Sequence, residues 1–207
     1  MKVIGIGLNK TGTISHHEAL ETLGLRSLHW GGPEVRAVVE RAAAEGRPLV
    51  DDLPGYDAYS DIWALSCRFA LLAEQYPGSR FVLTTRDLGG WIDSRRRHVE
   101  RNRVRKAAGE YRGGFLEIDP EAWAEEYRAH HQAVERFFTG RDDLLVLRIT
   151  EGDGYEALCP FLGLPDPGVA FPARHRGQDP DELVEAAAPE ARGGRLRWPG
   201  ARSQPGR

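Results

Sequence analysis

The sequence predicts an α/β fold in three layers, a parallel sheet covered on both faces by helices. Three observations carry this reading. Short apolar runs alternate with longer amphipathic ones from residue 2 to residue 162. Strands separated each time by a helix pair in parallel, because a helical crossover returns the chain to the same edge of the sheet. The opening run, Lys2–Gly7 (KVIGIG), is apolar and ends in glycine, as a buried parallel strand does.

The elements follow in order. After the strand at 2–7 comes a turn at 8–12, then a helix over 13–23 with Ala19, Leu20 and Leu23 on one face and Gly24 as its stop. Residues 25–30 read as a second strand broken by Gly31-Gly32-Pro33, and 34–45 as a helix whose inner side carries Val35, Val38, Val39 and Ala42. A short strand is expected at 48–50, leading into an acidic loop, Asp51-Asp52-Leu53-Pro54-Gly55. A helix over 61–76 follows, with Ile62, Leu65, Phe69 and Leu72 inward and Pro77-Gly78 at its end. Arg80–Thr85 (RFVLTT) is the clearest strand in the chain. Helices over 89–108 and 120–139, a strand at 144–149 and a last helix at 154–162 complete the pattern. From Arg176 onward Gly, Pro, Arg, Ala and Glu replace large apolar residues. The expected organisation is therefore one domain over 1–176 and a flexible tail over 177–207.

Composition narrows the function classes. The 207 residues are 41% hydrophobic and 29% charged with a net charge of −3, so no global basic field points to nucleic acid. Two cysteines, Cys67 and Cys159, are too few for a disulfide framework, and their apolar neighbours suggest core residues. The chain opens on a strand rather than on a charged leader with a long apolar stretch, and no run approaches the length of a membrane span. A cytoplasmic protein without membrane contact is the expectation.

The strongest chemical signal is Gly7-Leu8-Asn9-Lys10-Thr11-Gly12-Thr13-Ile14-Ser15, between a predicted strand and a predicted helix. Such a junction aims backbone N–H groups and the positive end of a helix at one point. Lys10 adds a charge, and Thr11, Thr13 and Ser15 add hydroxyl donors. The two glycines have the spacing of a nucleotide-triphosphatase loop, G-x-x-x-x-G-K-[ST], but Thr13 stands in the lysine position. The lysine is displaced to Lys10, which argues against a Mg²⁺-bound triphosphate.

The run Lys10-Thr11-Gly12-Thr13 with Ser15, following a strand, resembles the 5′-phosphosulfate loop of sulfotransferases that use 3′-phosphoadenosine 5′-phosphosulfate (PAPS), a family with a P-loop NTPase-like fold. The resemblance implies that Lys10, Thr11, Gly12, Thr13 and Ser15 bind the 5′-phosphosulfate, with Lys10 also stabilising the leaving oxygen. In that family an arginine at the end of a central strand and a serine eight positions later bind the 3′-phosphate. Here these are Arg86 and Ser94. The segments Tyr56–Asp61, Tyr76–Arg80 and Gly154–Leu164 followed by Phe171-Pro172 are similar to a bacterial subgroup. Arg174 or Arg176 could close over the 3′-phosphate, or belong to a solvated basic tail.

Implied with the family are a sulfuryl transfer to a hydroxyl or amine, adenosine 3′,5′-bisphosphate (PAP) as product, no metal, and a small-molecule or glycan acceptor. The oligomeric state is unknown from sequence. A general base would assist the acceptor. Asp61 is the first candidate, although an Asp opening a helix also suits an N-cap. His29, His17, Asp51 and Asp52 are the others, while His130-His131 reads as a solvated helix face. The stretch 95–106 carries seven Lys/Arg and one Glu, and suits either a solvated face or a mobile lid. A P-loop small-molecule kinase and a non-catalytic nucleotide-binding protein are the alternative readings.

Overall fold

In a computed structural model, which describes residues 1–172, every strand is followed by a helical segment. Strand β1 (Val3–Gly5) leads to α1 (Thr13–Thr22), and β2 (Ser27–His29) leads to α2 (Gly32–Ala44). Strand β3 (Ala58–Ser60) precedes α3 (Trp63–Ser66) and α4 (Phe69–Gln75), and β4 (Arg80–Thr84) precedes α5 (Leu88–Ala107) and α6 (Pro120–Phe138). Strand β5 (Leu144–Leu147) is followed by a 3-10 turn (Ile149–Glu151) and α7 (Tyr155–Leu162). The strands lie in the order β2-β3-β1-β4-β5 and every pair is parallel.

Alternation along the strands builds two cores. Ile4, Ile6, Tyr59, Phe81 and Leu83 meet α2, α3, α4 and α6 through Val39, Leu65, Leu72, Val134 and Phe138. Val3, Ala58, Val82 and Leu147 point to the opposite face, where Ala19 and Leu20 of α1 and Leu158, Cys159 and Leu162 of α7 cover them. The sheet is thus the middle of three layers. Each fully buried large apolar side chain contributes about 2 kcal/mol by burial alone, so both faces of the central strands are strongly specified.

The strand order also places the site. The connection leaving β1 runs to one side of the sheet and that leaving β4 runs to the other, although the two strands are neighbours. Their carboxyl ends therefore flank a crevice of the kind where open α/β sheets bind ligands.

Four expectations about local structure are corrected. Residues 48–50 form no strand: Pro48 lacks an N–H, the Leu49 amide donates to Gln75 Oε1 (3.0 Å), and the Val50 amide donates to the Tyr76 hydroxyl (3.0 Å). Leu49 and Val50 are buried in a turn instead. The strand lies at Ala58–Ser60, between the acidic loop and the expected helix, where the sequence reading places no strand. The helix expected over 61–76 is two helices, interrupted at Cys67 and Arg68. That break leaves Cys67 exposed, against the expectation of two core cysteines, whereas Cys159 is buried. Among the described residues no helix is long and apolar enough to cross a membrane.

Candidate functional site

The segment between β1 and α1 owes its path to two glycines. A Cβ on Gly7 would lie 2.0 Å from Thr84 Oγ1 and 2.4 Å from the Thr84 carbonyl oxygen, so only glycine allows the loop to leave this close to β4. Gly12, at φ 96°, is the N-cap of α1 and supplies no side-chain cap. Lys10 also adopts a left-handed conformation, φ 66°. Among the described residues, no backbone carbonyl accepts from the amides of Asn9, Gly12 or Thr13. Alternating backbone handedness ahead of an uncapped helix end forms a concavity of N–H donors suited to an anion.

Thr11 serves the loop itself. Its hydroxyl donates to the Leu8 carbonyl (2.5 Å) and lies 2.8 Å from Thr84 Oγ1. This joins the β1 loop to the end of β4, where Arg86 follows two residues later. The Arg86 side chain lies along the first turn of α5: a Cβ on Gly90 would sit 2.7 Å from its Nη2 and 3.2 Å from its Nε. Its Nε is buried and makes no hydrogen bond among the described residues. Ser94 is one helical turn beyond Gly90 and shares its face of α5, on the side that Arg86 overlies. A buried, unsatisfied guanidinium nitrogen beside a serine is a donor set awaiting an acceptor-rich ligand.

The backbone at Arg86 is fixed by α6. The Tyr127 hydroxyl donates to the Arg86 carbonyl (2.5 Å) and lies 2.9 Å from Thr85 Oγ1. Thr85 Oγ1 in turn is 2.8 Å from His131 Nε2. The other ring nitrogen, Nδ1, bonds the Tyr127 carbonyl (2.8 Å) and must donate there, so Nε2 accepts from Thr85. Burial lowers the His131 pKa and keeps that neutral tautomer. His130 is also buried and donates from Nε2 to the Ile6 carbonyl (2.7 Å) at the end of β1. The pair read as a solvated face is therefore an internal support of the β1 and β4 ends.

A second cluster forms at the ends of β2 and β3. His29 closes β2, and its Nε2 is 3.4 Å from Thr13 Oγ1 and 3.6 Å from Asp61 Oδ2. The His17 ring lies 5.4 Å from the His29 ring. Burial, then the nearby His17, His16 and Lys10, push the His29 pKa down to about 3, so the imidazole is neutral and its approach to Asp61 is a polar contact rather than a full ion pair. Asp61 is not an N-cap, because α3 is capped by Ile62 with no side-chain bond. Its φ is 56°, and Trp30, directly after His29, has φ 58°. Lys10, Trp30 and Asp61 are the described non-glycine residues with positive φ, and they follow β1, β2 and β3 respectively. Left-handed conformations of this kind are sustained where the surroundings over-determine them, characteristically at functional sites.

The structure thus brings Lys10, Thr13, His29 and Asp61 together, and connects them through Thr11 and Thr84 to the Arg86 segment. Ser15 is buried in the first turn of α1. Asp51 and Asp52 are not part of this group: they lie in the connection entering β3, at the amino-terminal end of the strands, where Asp51 accepts from the Tyr76 hydroxyl and Asp52 pairs with Arg47. Arg174 and Arg176, like the expected tail, lie outside the described residues.

The stretch 95–106 is not simply a solvated face or a lid. Arg95 is buried, pairs with Glu126 (2.7 Å) and lies 4.6, 5.1 and 4.9 Å from the rings of Trp91, Phe115 and Trp123. Asn102 is buried and donates to the Phe115 carbonyl, while Arg103 donates to that of Leu116. Among the described residues no group of three or more His, Cys, Asp or Glu side chains is placed to hold a metal ion.

Residues 2–179 match a family model described as a sulfotransferase domain, which spans most of the 207 residues. No curated protein matches the chain.

Proposed function

The chain belongs to the sulfotransferase-domain family, and we propose that it transfers a sulfuryl group from PAPS to a hydroxyl or amine of an acceptor. The observation that carries this reading is the pairing of two anion-binding segments on neighbouring strands. The N–H-lined loop after β1 and the Arg86–Ser94 segment after β4 meet at the Thr11–Thr84 contact. A ligand bearing phosphates at both its 5′ and 3′ positions matches this double arrangement, and a nucleoside triphosphate matches only half of it.

In this reading the loop amides, Lys10, Thr13 and the N-terminus of α1 hold the 5′-phosphosulfate, while Arg86 and Ser94 hold the 3′-phosphate. The acceptor oxygen or nitrogen bonds to sulfur as the bond from sulfur to the bridging oxygen breaks. The electron pair of that bond stays with the 5′-phosphate of PAP. Lys10 stabilises the charge that develops on this leaving oxygen. The acceptor proton passes to the His29–Asp61 pair, whose Nε2 and Oδ2 lie 3.6 Å apart. Burial, then the nearby His17, His16 and Lys10, hold His29 neutral and weakly basic in the free protein. The negative charge of a bound phosphosulfate offsets Lys10 and raises the basicity of His29 when the donor is in place.

Binding of PAP, AMP and ATP with Mg²⁺, measured by calorimetry on wild type and Arg86→Ala, tests the reading. It expects tight PAP binding, much weaker AMP binding, and loss of most of that difference in Arg86→Ala. Binding of ATP with Mg²⁺ alone would move the protein to phosphoryl transfer.

A further inference from the structure

Two carbonyls of the anion loop are tied to side chains, and the ties decide which way the loop amides face. Thr11 Oγ1 donates to the Leu8 carbonyl at 2.5 Å, and Trp91 Nε1 donates to the Asn9 carbonyl at 2.7 Å. In a trans peptide the carbonyl and the following N–H point in opposite directions. Turning the Leu8 oxygen toward Thr11 therefore turns the Asn9 amide the other way, and turning the Asn9 oxygen toward Trp91 does the same to the Lys10 amide. If either peptide plane rotated, a carbonyl dipole would face the anion in place of an N–H, exchanging an attraction for a repulsion.

Building on the donor-site reading above, we propose that Trp91 and Thr11 are positioning residues that hold the loop carbonyls away from the bound phosphosulfate. Trp91 is 0% exposed, so it acts on the ligand only through the loop. Its indole is fixed in turn by Arg95, whose guanidinium lies 4.6 Å from the ring and is anchored by Glu126. Trp91 sits on α5 between Gly90 and Ser94. The helix that carries Ser94 and lies beside the Arg86 side chain thus also sets the loop for the 5′ end, and the two halves of the donor site share one support.

Calorimetry with PAP and with adenosine 3′-monophosphate, on wild type and Trp91→Phe, tests this. Phenylalanine keeps a ring beside Arg95 and removes the N–H donor. PAP binding falls about tenfold, the scale of one hydrogen bond, while adenosine 3′-monophosphate, which lacks the 5′ group, changes by less than about twofold. Equal loss for both ligands makes Trp91 a purely structural residue, and no loss for either removes the tie altogether; both overturn the proposal. A wild type that binds neither ligand overturns the donor-site reading itself. Should Trp91→Phe fail to fold, Thr11→Val and Thr11→Ser carry the same comparison: the valine variant loses the preference for PAP and the serine variant retains it. Loss of the preference in neither variant overturns the proposal.

Discussion

Acidification tests whether His29 is held neutral inside the site. Its pKa of about 3 in the folded chain lies well below the ordinary 6.5. A depressed histidine pKa means that the unfolded chain binds the proton and the folded chain does not. The associated stability is fully present above about pH 6.5 and is lost as the pH falls toward 3. Between neutrality and about pH 5 this single group removes about 2 kcal/mol. The groups around it are Asp61, Thr13, Lys10, His16 and His17, and His16 carries a similar depression to about 3. The informative quantity is therefore the difference between wild type and His29→Gln, in which the other histidines cancel. Urea unfolding near pH 7 and near pH 5 measures it: the variant loses about 2 kcal/mol less than wild type on acidification. Parallel losses would show that His29 titrates normally in the folded protein. The pairing with Asp61 as a neutral, donor-activated base would then be wrong.

Three further outcomes follow from contacts already described. Gly7→Ala drives a methyl group into Thr84, with a Cβ placed 2.0 Å from its hydroxyl; a loss of about 3 kcal/mol is expected, read as a fall in melting temperature together with loss of PAP binding. Asp61→Gly keeps or slightly raises thermal stability, because glycine adopts φ 56° without strain, while turnover drops at least about a hundredfold; a clear fall in stability with turnover intact would return Asp61 to a structural role. Tyr127→Phe removes the donor to the Arg86 carbonyl and raises the KM for PAPS several-fold with a smaller change in kcat, measured by initial rates at varied donor.

The layered parallel fold was legible because its signals are local and repeated: apolar runs of strand length, helical spacing between them, and glycine at the turns. The junction between β1 and α1 was legible for the same reason, since Gly7 to Ser15 is one continuous segment. What escaped notice depends on contacts between distant residues. Ala58–Ser60 is a strand because it has β1 and β2 on either side, not because Ala-Tyr-Ser prefers to extend. Leu49 and Val50 have strand-like side chains, but Gln75 and Tyr76 take their amides. Arg95 counts as one charge in a basic run until three aromatic rings and Glu126 close around it. His130 and His131 carry no periodic signal that separates an internal support from a wet surface. The positive φ of Asp61, which removes its capping role, has no sequence signature at all.

The central position of β1 governs when the site comes into being. The loop it carries is pinned by Thr84 and Trp91 on one side and faces Asp61 and His29 on the other. During synthesis the loop emerges first, yet the residues that give it its shape emerge about eighty positions later. Closing so long an interval is entropically slow compared with forming local helices. The nascent amino-terminal portion therefore holds an exposed, glycine-rich strand end with no pairing on its β4 side. The loop acquires its described shape in one step, when β4 and the first turns of α5 dock. A chain stalled before that point carries the recognisable loop without the pocket.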